Sequence, residues 1–337
     1  LNKWWNLNFN FNMTKRIDYL DQVAGILICY MMLMHILLWK KIPLENDSLW
    51  LEPLKFFMFW FFFKSGMFYK QKTTKDCVIR GGKKLLYPFI IFSLLGYIIH
   101  TSVMYMSGDR NWKHYLLTPA KELLLGGSIG GNDVLWFLTS LFMVQFLFNK
   151  LMKQKVPITC IAMGGLTVAF LCQLIHIEKP AYLANVSIGI SLYTLGYLWK
   201  EKQFYKKYAS IAIALYLGIM IIWPSHIDLR NNTLCGNSIY ILAIVFSISG
   251  CIVINNLLRY LPKLQIINYI GKNSMLYYVT HMLILELVML IPFEQLGISG
   301  YVVFVIMCAS CLILPPMIRK IFLFVNPAKL SSIKKPE

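Results

Sequence analysis

Ten long apolar runs leave this chain very few ways to fold. They lie at about 19–39, 50–69, 86–106, 134–149, 156–176, 184–199, 208–223, 237–255, 274–292 and 300–324, built mainly of Leu, Ile, Phe, Met and Tyr. About 20 apolar residues is the length an α-helix needs to cross a ~30 Å hydrocarbon core. Backbone polar groups find no water there and must bond within their own segment, so such runs become helices. Only 14% of the 337 residues are charged and 58% are hydrophobic, with a mean hydropathy of +0.58. Soluble domains carry about 25% charged residues. The expected fold class is all-α, a polytopic membrane helical bundle of about ten transmembrane helices.

The net charge of +18 would suit a nucleic-acid partner, but its placement argues for a topology signal instead. Of the 33 Lys and Arg residues, 24 fall in the N-terminal segment, 70–84, 150–155, 200–207, 259–272 and the tail from Arg319, whereas the alternate loops hold eight. Cytoplasmic loops carry the excess of Lys and Arg, so the alternation predicts both termini in the cytoplasm, at the inner membrane of a bacterium. The segment 107–133 has room for a surface helix or a re-entrant element. The chain divides into an arm over 1–15, one transmembrane domain over 16–325 and a basic tail over 326–337. Leu1–Asn12 lacks a signal peptide's continuous apolar core and cleavage site, so the first span is expected to stay in the mature protein.

The eight cysteines show no zinc-type spacing and read as small buried apolar residues. No phosphate-binding loop, nucleophile elbow or HExxH is present. The chemistry is therefore sought in ionisable residues at lipid depth, which are costly and usually functional. In the first run, 11 residues make three helical turns plus about 20°, so Ala24 and His35 share a face, with Asp21 near it. His35 then lies roughly 20 Å along the axis from Asp21, toward the non-cytoplasmic side. It reads either as an interfacial histidine reaching headgroup water or as a reactive group.

Lys64 stands inside the aromatic second run, before Ser65 and Gly66. It either snorkels to the interface or pairs inside the bundle, and the small Ser65-Gly66 pair lets helices approach closely. Arg80, Lys83 and Lys84 mark a basic loop before the third run, either plainly solvated or able to clamp phosphates. His281 lies nine residues beyond Lys272, about 14 Å from the cytoplasmic side by helical rise. His100, His114, His176 and His226 sit at run ends or in outer loops, with no metal-site spacing, and are assigned no chemistry.

These phrases resemble the acyltransferase-3 family of integral-membrane acyltransferases. Arg16, Asp21, Gly25, Ile26 and His35 match its first-span pattern, and Met58 with Phe61-Phe-Phe-Lys-Ser65-Gly66 matches the second. Lys83-Lys84-Leu85 through Pro88, Trp136-Phe137-Leu138, and Tyr269-Ile-Gly-Lys-Asn-Ser274 through Tyr278 and His281 follow in the family's order. The resemblance spans about residues 15–325. It implies transfer of an acyl group, commonly acetyl from cytosolic acetyl-CoA, to a hydroxyl of a cell-surface glycan or lipid-linked saccharide, with no metal. His35 would be general base or acyl carrier, with Asp21 and Lys64 in the catalytic set. Arg16, Ser65, Arg80, Lys83, Lys84, Trp136, Ser274, Tyr278 and His281 would contact substrate or cofactor. His281 is expected beside the acyl-donor tunnel or as a structural hydrogen-bonder.

Two positions depart from the family pattern. Ala24 replaces a basic residue and Phe59 replaces a proline. Lys64 is expected to restore the lost charge by pairing with Asp21 or with the acyl thioester oxygen, and Phe59 to straighten its helix. A reading of another class is a transporter or flippase that moves a glycan or small solute without chemistry. It would carry internal repeats and matching broken helices, and neither is visible.

Overall fold

The computed structural model describes residues 17–38, 53–108, 111–177, 179–202, 208–222, 227–230, 233–234 and 240–324. Arg16, His226, the arm and the 326–337 tail lie outside the described residues. The helices are α1 (Asp18–Leu38), α2 (Phe57–Met67), α3 (Thr74–Gly81), α4 (Tyr87–Met106), α5 (Trp112–Gly126), α6 (Trp136–Lys153) and α7 (Ile158–Leu174). They continue with α8 (Ala181–Lys202), α9 (Ala209–Ile222), α10 (Tyr240–Tyr260), α11 (Gln265–Lys272), α12 (Ser274–Met289) and α13 (Gly300–Phe324). A small antiparallel hairpin, β1 (Ile227–Asp228) with β2 (Thr233–Leu234), joins α9 to α10 and pairs Ile227 with Leu234. Each apolar run carries a helix, and among the described residues five helical stretches are long and apolar enough to cross a membrane by length and composition.

The central helix is α1. Leu20, Val23, Ala24, Leu27, Ile28 and Met31 are all at most 1% exposed. Ringed by other helices, α1 needs no polar face, unlike a surface helix with one apolar stripe. Its first half is clasped by α11. A Cβ on Gly25 would run into the Ile267 carbonyl, and one on Gly271 into the Asp21 carbonyl and the Gly25 amide. The absence of side chains at both glycines lets the two backbones touch. Polar groups bind the same crossing: Asn268 Nδ2 donates to the Asp18 carbonyl at 3.1 Å, and Gln22 Nε2 to the Pro262 carbonyl at 3.1 Å. Lys263 Nζ also bonds Asp18 at 2.9 Å.

A second glycine interlock holds α2 to α8. Gly66 packs on the Tyr193 carbonyl and Gly196 on the Phe63 carbonyl. This is the close approach expected of Ser65-Gly66. The helix runs unbroken through Phe59, as the missing proline implies. At 11 residues it is shorter than the expected span.

Two expectations are corrected. The basic stretch before the third run is not a loop: α3 and a π-helical turn over Gly82–Leu86 carry it directly into α4. Thr73 caps α3 by accepting from the Asp76 amide at 3.0 Å. Gly81 and Gly82 suggest a turn, yet Gly81 serves packing, since a Cβ there would sit 2.9 Å from Phe142 of α6. Nor are all the cysteines buried. Cys160 is exposed, apolar enough for a helix side open to surroundings, and Cys29 and Cys308 are half-buried, while Cys235 lies outside the described residues.

The interlock is testable against an open glycine. Gly271→Ala drives a methyl into the Asp21 carbonyl, an overpacking that costs about 1–3 kcal/mol. Gly218→Ala on α9 meets nothing within 4 Å and gains helix propensity of up to about 1 kcal/mol. Thermal unfolding in detergent should show a lower midpoint for Gly271→Ala only; equal midpoints would dismiss the clasp as a stability determinant.

Candidate active site

The two histidines meet. The rings of His35 and His281 lie 5.2 Å apart between centroids, inclined at 37°. The sequence does not show this contact, because the two residues lie on separate helices; of the two expectations for His281, the structural hydrogen bond is the one seen. The glycine crossing supplies the reason for the contact. Ten residues separate Gly25 from His35, roughly 15 Å of helical rise, and ten separate Gly271 from His281 across the break at Asn273. One face of α11, with Asn268, Ile270 and Gly271 buried, packs on α1 while the other stays exposed, so α12 starts beside α1 and His281 reaches the level of His35.

His281 has a defined tautomer. Its Nδ1 lies 2.8 Å from the Tyr278 carbonyl and 3.2 Å from the Tyr277 carbonyl. Carbonyl oxygens only accept, so Nδ1 carries the hydrogen and Nε2 presents a lone pair. That Nε2 is buried with no hydrogen-bond partner among the described residues. His35 is half-buried, so the pair has one enclosed member and one reachable from outside.

An aromatic path supports the pair from the side. Phe62 of α2 meets Phe137 at 4.8 Å, Phe137 meets Tyr278 at 6.0 Å, and Tyr278 meets His281 at 6.2 Å. Trp136 caps this path against Phe137 at 6.1 Å. The Tyr278 hydroxyl donates to the Val134 carbonyl, so the residue ties α12 to the start of α6. Ser274 opens α12, and Ser65 lies on α2 within the glycine interlock; neither touches the histidine pair through a recorded bond.

Lys64 and Asp21 do come together, at 4.0 Å, and Lys64 Nζ also donates to the Leu20 carbonyl at 3.4 Å. A lysine at bilayer depth costs about 2.5–3.5 kcal/mol on insertion scales, which the carboxylate offsets. Lys64 sits 5.0 Å over the Trp60 ring, whose Nε1 donates to Asn255 Oδ1 at 2.8 Å. Asp21 Oδ2 and Asn255 Nδ2 have no partner among the described residues. This polar group is roughly 20 Å from His35 along α1.

Beyond it, Arg80, Lys83 and Lys84 are exposed on α3 and the π turn. Lys72 and Arg80 lie near enough to Lys84 to act on its charge. Lys153 joins them, donating to Thr74 Oγ1 at 3.3 Å. Buried Asn149 pins the strap before α3, accepting from the Lys72 amide at 3.1 Å and donating to the Lys72 carbonyl at 3.2 Å. Lys72 and Lys153 belong to different basic loops in sequence and are gathered by the packing of α3 on α6.

At the other end is a group that sequence reading missed. Glu286 of α12 faces His100 of α4 at 3.5 Å, and Arg230 contacts Asp133 at 3.7 Å and Ser128 at 3.1 Å. Glu286 was detectable, being a carboxylate within the ninth apolar run. His100 was set aside for lack of a neighbour in sequence. Among the described residues no cluster of three His, Cys, Asp or Glu side chains is placed to hold a metal ion.

No curated protein and no solved structure matches the chain. The acyltransferase-3 family, described as an acyltransferase domain, matches residues 17–319 and so contains both histidines, the Lys64–Asp21 pair and the basic turn. The chain belongs to the acyltransferase-3 family and is a multi-pass membrane acyltransferase.

Proposed function

We propose that this chain transfers an acetyl group from cytosolic acetyl-CoA to a hydroxyl of a cell-surface or lipid-linked glycan, at the histidine pair, in the inner membrane of a bacterium. The observation that carries the reading is the His35–His281 contact, with Nε2 of His281 held as an acceptor. Ten spans with both termini in the cytoplasm follow from the strict alternation of basic loops. That orientation puts Arg80, Lys83 and Lys84 on the donor side and His35 toward the acceptor side.

In this reading His281 Nε2 accepts a hydrogen bond from one nitrogen of His35. The other His35 nitrogen then keeps a lone pair for the acceptor hydroxyl. As the hydroxyl oxygen attacks the acetyl carbonyl, its proton passes to His35 and the carbon–oxygen bond forms. The carbon–sulfur bond breaks, and the departing CoA thiolate takes the proton back. Positioned base catalysis of this kind contributes about 10²–10⁴-fold. A low-dielectric, water-poor setting strengthens it and limits hydrolysis of the thioester.

The basic turn with Lys72 and Lys153 would clamp the phosphates of CoA. Lys64 and Asp21 lie along the stretch from that end toward the histidines, where Lys64 supplies the cation that Ala24 does not. Arg16, preceding α1, would add to the same end.

Membranes supplied with radiolabelled acetyl-CoA test the chemistry. His35→Ala should lower label transfer to glycan by about 10²–10⁴-fold, and His281→Gln by a smaller factor, since it leaves the base in place but removes its fixed partner. Full transfer by His35→Ala would end this reading. Lys64→Met should abolish transfer while the protein accumulates normally in the membrane; unchanged activity there would remove Lys64 from the donor path.

A further inference from the structure

The charged group at the far end of α12 has the features of a built binding site. Four glycines in the segment 126–133 shape it, and Gly127, Gly130 and Gly131 hold φ of +80°, +90° and +71°, a region L side chains rarely adopt. Gly131 lies directly on the Gly96 carbonyl of α4, which seats the loop between α4 and α12. Asn132 is thereby 1% exposed, its Nδ2 donating to the Val279 carbonyl at 3.1 Å. Its Oδ1 has no partner among the described residues, and neither does Glu286 Oε2.

Val279 and Glu286 are seven residues apart, two turns along one face of α12. Asn132 thus meets α12 within two turns of Glu286. Around them, Ser128 Oγ bonds Asp133 Oδ1 at 2.9 Å and receives Arg230 Nη2 at 3.1 Å. Asn185 fixes the Arg230 backbone by donating to its carbonyl at 3.4 Å, and Asn185 in turn accepts from Ser140 at 2.9 Å. Side-chain exposures of 54% for Asp133, 48% for His100 and 25% for Arg230 leave the rim open. Tyr278 links this rim to His281, ring to ring at 6.2 Å.

The unmet groups select the ligand. Asn132 Oδ1 can only accept, and Glu286 Oε2 accepts when the carboxyl is ionised, so a partner that brings hydrogen-bond donors suits both. Leaving such buried acceptors empty costs about 1–3 kcal/mol each. An acyl chain has no donors, and a phosphate meets the carboxylates of Glu286 and Asp133, which lie near enough to repel one another. A polyhydroxylated molecule brings several donors at once and can reach both acceptors with separate hydroxyls. We propose that Asn132, Asp133, Arg230 and Glu286 form the acceptor subsite, holding a saccharide by at least two hydroxyls so that another hydroxyl is offered to His35. The proposal rests on the glycan acetyltransferase reading above and names the part of the chain that recognises the acceptor.

The test uses full-length protein in native membranes, radiolabelled acetyl-CoA, and cell-surface polysaccharide isolated from cells lacking the protein. Glu286→Gln and, on a separate element, Arg230→Lys should raise the polysaccharide concentration for half-maximal transfer by roughly tenfold, which corresponds to about 1.4 kcal/mol. The acetyl-CoA concentration for half-maximal transfer should stay within about twofold, because the donor side is at the other end of the molecule. Unchanged polysaccharide dependence in both variants, or a fall in maximal rate with that dependence intact, overturns the subsite. Failure of the parent reading looks different: the native protein labels no polysaccharide, or His35→Ala labels it as well as the native protein.

Discussion

The backbone contact between α1 and α11 sets the position of everything that follows. Gly25 and Gly271 each remove a Cβ that would occupy a carbonyl of the opposite helix. Within a membrane, helix association depends on such close packing, since lipid chains are as apolar as leucine. The crossing fixes how far into the bundle α12 begins. His35 follows Gly25 at a set rise within α1, and His281 follows Gly271 through the short break at Asn273 between α11 and α12. A displacement of one turn at the crossing, about 5.4 Å, would be as large as the whole separation of the imidazole rings.

Polar groups are distributed along this frame in three levels. Asp21 with Lys64 lies near the crossing, the histidine pair deeper along α1 and α12, and Glu286 with His100 beyond it. Buried polar atoms are normally hydrogen-bonded. Among the described residues each level nevertheless keeps one or two unpartnered atoms: Asp21 Oδ2 and Asn255 Nδ2, His281 Nε2, and Asn132 Oδ1 with Glu286 Oε2. A donor molecule arriving at one end and an acceptor at the other would meet unsatisfied groups along the way and at the reacting centre. The aromatic path from Phe62 through Phe137 and Tyr278 packs beside the middle level.

Much of this was legible from residue types. The apolar runs marked the helices, with Ser274 opening α12 as expected, because burial in hydrocarbon leaves no other backbone solution. Lys64 and Asp21 could be paired in advance, since a lysine at lipid depth demands a counter-charge. Ser65-Gly66 read correctly as a packing pair. The basic turn did not read correctly: Gly81-Gly82 looks like a loop in sequence, and only contact with Phe142 shows that the glycine is there for proximity. His100 was passed over because its partner, Glu286, is 186 positions away.

The sequence by itself therefore determined the class of the chain, the family phrases, and the choice of His35 as a reactive candidate. These depend on local quantities: hydropathy over a run, charge in a loop, the angle between two residues on one helix. Tertiary structure alone decided that His281 stands beside His35, that Lys72 and Lys153 join the basic turn, and that Asn132, Arg230 and Glu286 share a rim. Those outcomes depend on the relative height of helices that are far apart in the chain. That height is set by backbone approach at a few glycines, a property of two surfaces together that neither segment carries alone.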